Sequence, residues 1–422
     1  MTHARPRLAQ ATTLAFIAGN ARWLAAGTLL NFLTSFGQTF FLSLFGGEVR
    51  SAFGLSHGAY GNLYMFGTLL SAAVLIWLGR LADQVPLYRI GGLTIIALAG
   101  ACAVMALTTG PISLFIAFFL LRIAGQGMMS HVSLTAMTRA FDAHRGRALG
   151  LTALGFPLGQ ILLPAAAVAL SGAVGWRQVW WLSAAVLIAV GLPALLALLR
   201  RSNAPGDPAA SSVSQSSAPH REAATLSRPD YAWTRREVVR HALFWFLQPS
   251  LLAPAFIFTA IFFHQAHLVE TKGWTMSFWA LLYTPFATAT VIASLATGWA
   301  IDRFGARAVL PFLLLPMAIS LVLLATGTSG LMAGIALVCF GGTSGAMQPI
   351  VGAILAELYG TRHLGAIRAL QASAMVFSSA LGPGVMGVLM DAGITMDAQI
   401  WVMALYSIAA SVVSAWALHR NR

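Results

Sequence analysis

The sequence predicts an all-α membrane protein of twelve transmembrane helices, arranged as two halves of six. Three observations predict this fold. Of 422 residues, 58% are apolar and only 9% are charged, which is more apolar side chain than a soluble domain can bury. Apolar stretches of about 20 residues, the length needed to cross a bilayer, recur along the chain. A short motif also recurs after the second and the eighth stretch.

The apolar stretches fall into two sets of six. We predict spans at 23–45, 59–78, 90–108, 112–137, 148–173 and 179–199, and then at 243–267, 278–300, 309–326, 331–356, 369–390 and 400–418. Residues 200–240 between them are rich in Ser, Ala and Pro, as expected for a flexible linker. The predicted domains are therefore an N-terminal six-helix half (1–199), a cytoplasmic linker (200–240) and a C-terminal half (241–422). Thr234 and Glu237 have capping-box spacing, which leaves open a short interfacial helix or an uncapped segment.

The basic residues predict the orientation of the spans. Arg50, Arg177 and Lys272 fall on one side and Arg122 falls inside a span, whereas the other basic residues lie on the opposite side. By the positive-inside rule, both termini and the linker are cytoplasmic in a bacterial-type inner (plasma) membrane. Topology thus accounts for the net charge of +13, and the dispersion of the cations among short loops argues against a nucleic-acid partner.

The sequence contains no recognisable enzyme motif. Walker-type glycine loops, HExxH patterns and multi-cysteine sites do not occur, and Cys102 and Cys339 both fall in predicted spans. We therefore predict no cofactor and no metal, and a monomer in the lipid bilayer that draws its energy from gradients. A membrane sensor that binds a ligand without moving it stays open, although its usual output domain is not visible.

The repeated motif lies in the loops after spans two and eight. The chain reads GRLADQVPLYR from Gly79 to Arg89 and GWAIDRFGAR from Gly298 to Arg307. Asp302 lies 219 positions after Asp83, and Gly298 lies 219 positions after Gly79. The pattern resembles the signature loop of the major facilitator superfamily, except that the first copy has Gln-Val-Pro after its aspartate.

This resemblance implies a secondary transporter that works by alternating access. It also implies a conformational latch formed by Gly79, Asp83, Arg89, Gly298, Asp302 and Arg307. We expect the glycines to let helix ends approach and the aspartates to accept hydrogen bonds from exposed N–H groups at a helix start. Asp83 would contact residues 365–368 when the cytoplasmic side is closed. The alternative is a plain cytoplasmic turn.

The resemblance further implies that spans one, four, seven and ten line a central cavity. Polar side chains at bilayer depth usually face such an interior path. The candidate substrate-binding residues on these spans are Asn31, Gln38, Arg122, Gln126, His264, His267 and Gln348. The alternative is that amides and hydroxyls only join helices to one another.

Arg122 is the most informative of these residues. It lies near the middle of span four, and no Asp or Glu occupies the interior of any predicted span. Its guanidinium must therefore pair with amides, carbonyls, water or a solute. Two roles stay open: binding of an anionic substrate, and bonding to backbone carbonyls where glycine-rich helices bend. The first predicts a small organic anion or zwitterion as substrate.

Two branches of the superfamily offer more specific predictions. The segments Arg145–Gly150 and His267–Val269 loosely resemble the bacterial monocarboxylate and oxalate/formate carriers, but Ser294 stands where many of those carriers have an arginine. Proton-linked efflux of hydrophobic compounds is the alternative, and no buried carboxylate supports it. Coupling to a proton, through His264 or His267, or to an exchanged anion stays open.

Overall fold

The computed structural model describes residues 5–79, 85–141, 144–199 and 233–421, with side chains from residue 15 onward. The described residues form helices joined by short turns, without a strand. Among these described residues, eleven helices are long and apolar enough to span a membrane, and a bent pair brings the number to twelve. Asp83 and residues 200–232 of the predicted linker lie outside the described residues.

The twelve spans are numbered α1 to α12 in chain order. α1 is the bent pair Ala15–Gly37 and Thr39–Phe53. The others are α2 (His57–Leu78), α3 (Leu87–Ala106), α4 (Pro111–Ala140), α5 (Arg145–Val174), α6 (Trp176–Leu199), α7 (Ala242–Phe263), α8 (Met276–Phe304), α9 (Ala306–Thr326), α10 (Gly330–Tyr359), α11 (Leu364–Asp391) and α12 (Met396–Arg420). Apart from α1 and α7, these helices confirm the predicted spans to within a few residues at most ends.

Two predicted spans differ from the structure. Span one is not continuous, because its backbone becomes extended at Gln38 (φ −87°, ψ 151°). Span seven ends at Phe263 instead of at His267, since His264 leaves the helical conformation (φ −95°, ψ 19°). Residues Gln265–Thr271 then form a separate short helix. Apolar content alone did not mark either interruption.

The ends of the helices follow from local sequence. Ser56, Ser329 and Thr395 accept hydrogen bonds from the backbone N–H three residues on and so cap α2, α10 and α12. Thr234 and Glu237 form the capping box, which starts a short helix at Arg235–Arg240. Gly305 and Gly360 end α8 and α10 with positive φ angles of 82° and 77°, which favour glycine.

The two sets of six helices meet at three places among the described residues. α2 packs against α11, α5 packs against α8, and the outer part of α1 packs against α7 and the short helix Gln265–Thr271. We call the end of the bundle that holds residues 46–56 and 392–395 the outer end, and the end that holds both termini the inner end, following the orientation predicted from charge. Between described residues, the hydrogen bonds that join the two sets lie at the outer end. The bundle is therefore closed there.

Candidate functional site

The break in α1 is the first component of the site. Residues Thr34–Gly37 form a tight 3₁₀ turn before the extended Gln38. A side chain at Gly37 would overlap the carbonyl oxygen of Leu121 and come within 2.6 Å of the Cα of Gly125 on α4. Only glycine can be accommodated at this position, and the bent backbone of α1 therefore packs directly against the backbone of α4.

α4 is irregular at the same level. Residues Arg122–Met129 have π-helical hydrogen bonding, a distortion often found at functional sites. Arg122 opens this segment and is only 2% exposed. Its Nη1 donates to the carbonyl of Gly37 at 3.2 Å and more weakly to Thr39 Oγ1 at 3.5 Å. The irregular stretches of two helices thus meet at one buried cation.

The surroundings of Arg122 leave part of its guanidinium without acceptors. Its Nε has no hydrogen-bond partner among the described residues. The cation lies 5.2 Å from the ring centroid of Tyr64, whose hydroxyl is hydrogen-bonded to Thr39 at 2.5 Å. Its described contacts include no acidic side chain, so its positive charge is not neutralised by the protein there.

The three predicted amides near this point differ. Gln38 lies at the break and Gln126 one turn after Arg122; both are half-buried, and their side chains form no hydrogen bond with other described residues. Asn31 instead joins three helices, because its Nδ2 lies within hydrogen-bond distance of Gly27 O (3.2 Å), Ser133 Oγ (2.8 Å) and Thr152 O (3.1 Å). The structure therefore leaves Gln38 and Gln126 available to a ligand and uses the Asn31 donor for packing.

The two predicted histidines lie at the outer end of the bundle. His264 is buried, and its Nε2 is 2.9 Å from the carbonyl of Pro383 on α11. His267 is half-buried, with its ring centroid 4.4 Å from that of His57 on α2. Burial, and secondarily the charge of Arg50, lower the pKa of His267, which lies beyond the end of α7. No described contact joins these histidines to Arg122.

Gln348 lies apart from both the Arg122 site and the histidines. It is exposed on α10 and lines a groove of about 400 Å³ between α10 and α11. Arg368 lines the same groove, and its Nη2 donates to the carbonyl of Gly352 at 3.1 Å. The structure thus brings Arg122, Gln38 and Gln126 together and leaves the other predicted ligands apart from them.

Comparison with known proteins identifies the family. The model of the Major Facilitator Superfamily matches residues 27–287 and 260–422. The chain belongs to the major facilitator superfamily. It is a membrane transporter and not an enzyme, as the sequence predicted. A search of curated proteins finds no match.

Solved structures of two other transporters have the same fold as this chain at low sequence identity. A bacterial homologue of the human lysosomal transporter Spinster, in an inward-facing and unoccupied conformation, matches with a TM-score of 0.68 and 16% identity, over 95% of this chain and 97% of that one. The nucleoside transporter NupG matches with a TM-score of 0.69 and 14% identity, over 95% of this chain and 100% of that one. These matches confirm the fold.

The second copy of the superfamily loop is arranged differently from the prediction. A side chain at Gly298 would meet open space, so this glycine does not permit a close helix approach here. Asp302 forms no hydrogen bond or ion pair with other described residues. Glu357 on α10 takes the expected role, because its Oε2 accepts from Ala306 N at 2.8 Å while its Oε1 lies 3.4 Å from Arg307 Nε.

Of the first copy, the structure describes both ends. The carbonyl of Gly79 lies 3.1 Å from Nε2 of His131 on α4, which ties the inner end of α2 to its own half. Arg89 lies over the ring of Tyr88, with 5.5 Å between its Cζ and the ring centroid. Asp83 itself lies outside the described residues, so its contact with residues 365–368 stays a prediction.

Gln265 joins the two halves at the outer end, although it is not among the substrate-binding residues predicted from the sequence. Its Nε2 donates to Phe40 O at 3.0 Å and to Ser43 Oγ at 2.7 Å on α1. Its Oε1 accepts from Trp279 Nε1 at 2.7 Å and Tyr283 OH at 2.8 Å on α8. Ser43 Oγ also donates to the carbonyl of Phe262 on α7 at 2.6 Å, so a further hydrogen bond joins the two halves here.

Proposed function

We propose that this transporter carries a small organic anion or zwitterion across the inner membrane by alternating access, as a secondary transporter with both termini cytoplasmic. The observation that carries the proposal is the buried Arg122 beside the break in α1, with part of its guanidinium unpaired. In other secondary transporters, interrupted helices near the bilayer midplane form the substrate and ion sites.

An anionic substrate would complete the hydrogen bonding of Arg122. A guanidinium has five N–H donors, and the described contacts supply one good acceptor and one distant one. Leaving a cation unpaired at this depth costs at least about 2.5 kcal/mol. A carboxylate would accept two parallel hydrogen bonds from the guanidinium, a charge-assisted geometry that a neutral solute cannot offer.

The structural role foreseen for Arg122 explains only part of what is observed. Its bond to Gly37 is of the kind expected where a helix bends. That bond leaves the Nε without a described hydrogen-bond acceptor and the positive charge without a described counter-charge. The half-buried amides of Gln38 and Gln126 would add neutral donors and acceptors for the rest of the substrate.

The class of the anion is proposed more broadly than one carrier group. Ser294 stands where many monocarboxylate and oxalate/formate carriers have an arginine, so the anion-binding charge would come from Arg122, the one Lys or Arg within the spans predicted from the sequence. NupG is a nucleoside transporter, but at 14% identity its substrate says nothing about the substrate of this chain. We keep proton coupling and anion exchange as alternatives, with His264 and His267 as the proton-binding candidates.

Ligand binding by the purified protein tests this function. Because a specific ligand stabilises the folded state by mass action, saturating substrate should raise the Tm in a thermal-shift screen. We expect hits among small carboxylates and amino acids, and none among nucleosides or hydrophobic cations. Stabilisation by cationic drugs alone would instead support the efflux alternative.

A further inference from the structure

A carboxylate at the end of α11 closes the outer end of the bundle on the first turn of α2. Asp391 Oδ2 accepts a hydrogen bond from Ser56 Oγ at 2.6 Å and another from Gly58 N at 2.9 Å. Ser56 Oγ also accepts from Ala59 N at 3.1 Å, so it is the cap of its own helix. Asp391 therefore adds a second cap to α2 from the opposite half.

The two helices come close enough for this contact because glycines line their crossing. A side chain at Gly58 would lie 2.5 Å from Asp391 Oδ2 and 3.1 Å from the Cα of Val388. A side chain at Gly387 would lie 2.7 Å from the carbonyl carbon of His57. The backbones of α2 and α11 thus meet without intervening side chains, which places the carboxylate within reach of the free N–H group.

We propose that Asp391 is the latch of the outer gate: its cap on α2 forms only when the outer end is closed and must break for that end to open. The first N–H groups of a helix have no partner within the helix, and the helix dipole favours a negative charge beside them. Loss of one such cap costs about 1 kcal/mol, which changes a two-state equilibrium by about fivefold.

The proposed outer latch is the counterpart of the latch predicted at the inner end. There, Asp83 follows α2 and is expected to contact the start of α11; here, Asp391 ends α11 and contacts the start of α2. The same helix pair would thus carry one carboxylate latch at each end. Breaking one while forming the other is what alternating access requires of this pair.

Distances between spin labels at the outer end test the proposal. Labels on Thr109→Cys and Thr328→Cys report on exposed loops of opposite halves, in a background with Cys102 and Cys339 replaced by Ala. In Asp391→Ala, which removes the accepting oxygens, we expect the population with long distances to rise about fivefold over the wild type. Ser56→Ala should also raise the population with long distances, and it replaces the first variant in the test if that variant does not fold.

Ser329→Ala is the matched control. Ser329 also caps a helix, with its Oγ 3.3 Å from Met332 N, but both residues belong to the second half. It should therefore lower the Tm without changing the distances between halves. Unchanged distances in folded Asp391→Ala or in Ser56→Ala, or an equal shift in Ser329→Ala, would overturn the proposal. The result does not depend on which solute is carried.

Discussion

Three histidine rings at the outer end are the residues best placed to respond to pH. His57 comes from α2, and His264 and His267 follow α7, with the His57 and His264 ring centroids 5.9 Å apart. The charged groups that act on this cluster are Arg50, Glu270, Asp391 and Asp397. Protonation would add positive charge between the halves, beside Arg50, and so oppose closure.

The sign of the pH effect follows from His267. Burial in the closed state lowers the pKa of this base below 6.5, so the closed state binds a proton less readily than an open, hydrated one. The stability of the closed outer end should therefore fall as the pH drops below 6.5.

We predict that replacing His264 and His267 together with Gln flattens the pH dependence of uptake into proteoliposomes, because two of the three rings that can change charge are removed. The exposed His419, at the end of α12, gives the control variant His419→Gln, which should keep the wild-type profile. A double variant with an unchanged profile would make both histidines structural.

At the scale of elements, the break in α1 is the feature that the sequence did not predict. Residues 23–45 contain no proline, and their composition indicates one continuous span. The break arises from tertiary contact, since Gly37 fits against Leu121 and Gly125 of another helix. Such a contact pairs residues more than 80 positions apart, which local patterns of hydrophobicity do not report.

Gly37→Ala should separate α1 from α4 at the candidate site. The added methyl group would overlap backbone atoms, and such overpacking typically costs about 1–3 kcal/mol. We predict a lower Tm and weaker ligand binding. Gly100→Ala on α3 is the control, because its methyl group meets open space and should be neutral or stabilise the helix by up to about 1 kcal/mol. Equal Tm values for the two variants would refute the proposed packing.

At the scale of the whole molecule, the sequence predicted the twelve spans well but not how the halves meet. Because the bilayer requires each span to be long and apolar, the spans can be recognised in a single sequence. The contact of Ser56 with Asp391 depends on two helices from different halves and on which end is closed. Arg122 was predicted as the key residue because a lone cation at bilayer depth is costly wherever its partners lie.

We propose that residues 1–199 and 241–422 move as two units joined by the linker 200–240. The inner latch predicted at Asp83 offers a test of this movement. Asp83→Asn should weaken closure of the inner end, so labels at Gly146→Cys and Thr361→Cys should move apart. Both positions are exposed at the inner end. Asp302→Asn, in the second copy of the loop, is the control and should leave the distance unchanged. No lengthening in Asp83→Asn would refute the latch.

The affinity of Arg122 variants for the anion found in the screen tests the central claim most directly. Arg122→Lys keeps the charge but loses the planar fork, so it should bind more weakly, while Arg122→Gln should lose binding and stay folded. Arg177→Gln is the control, because Arg177 also donates to a backbone carbonyl (Thr108 O, 2.7 Å) and lies over an aromatic ring, that of Trp176. Its affinity should match the wild type. Wild-type anion affinity in well-folded Arg122→Gln, with a lowered Tm, would contradict the account and make Arg122 structural.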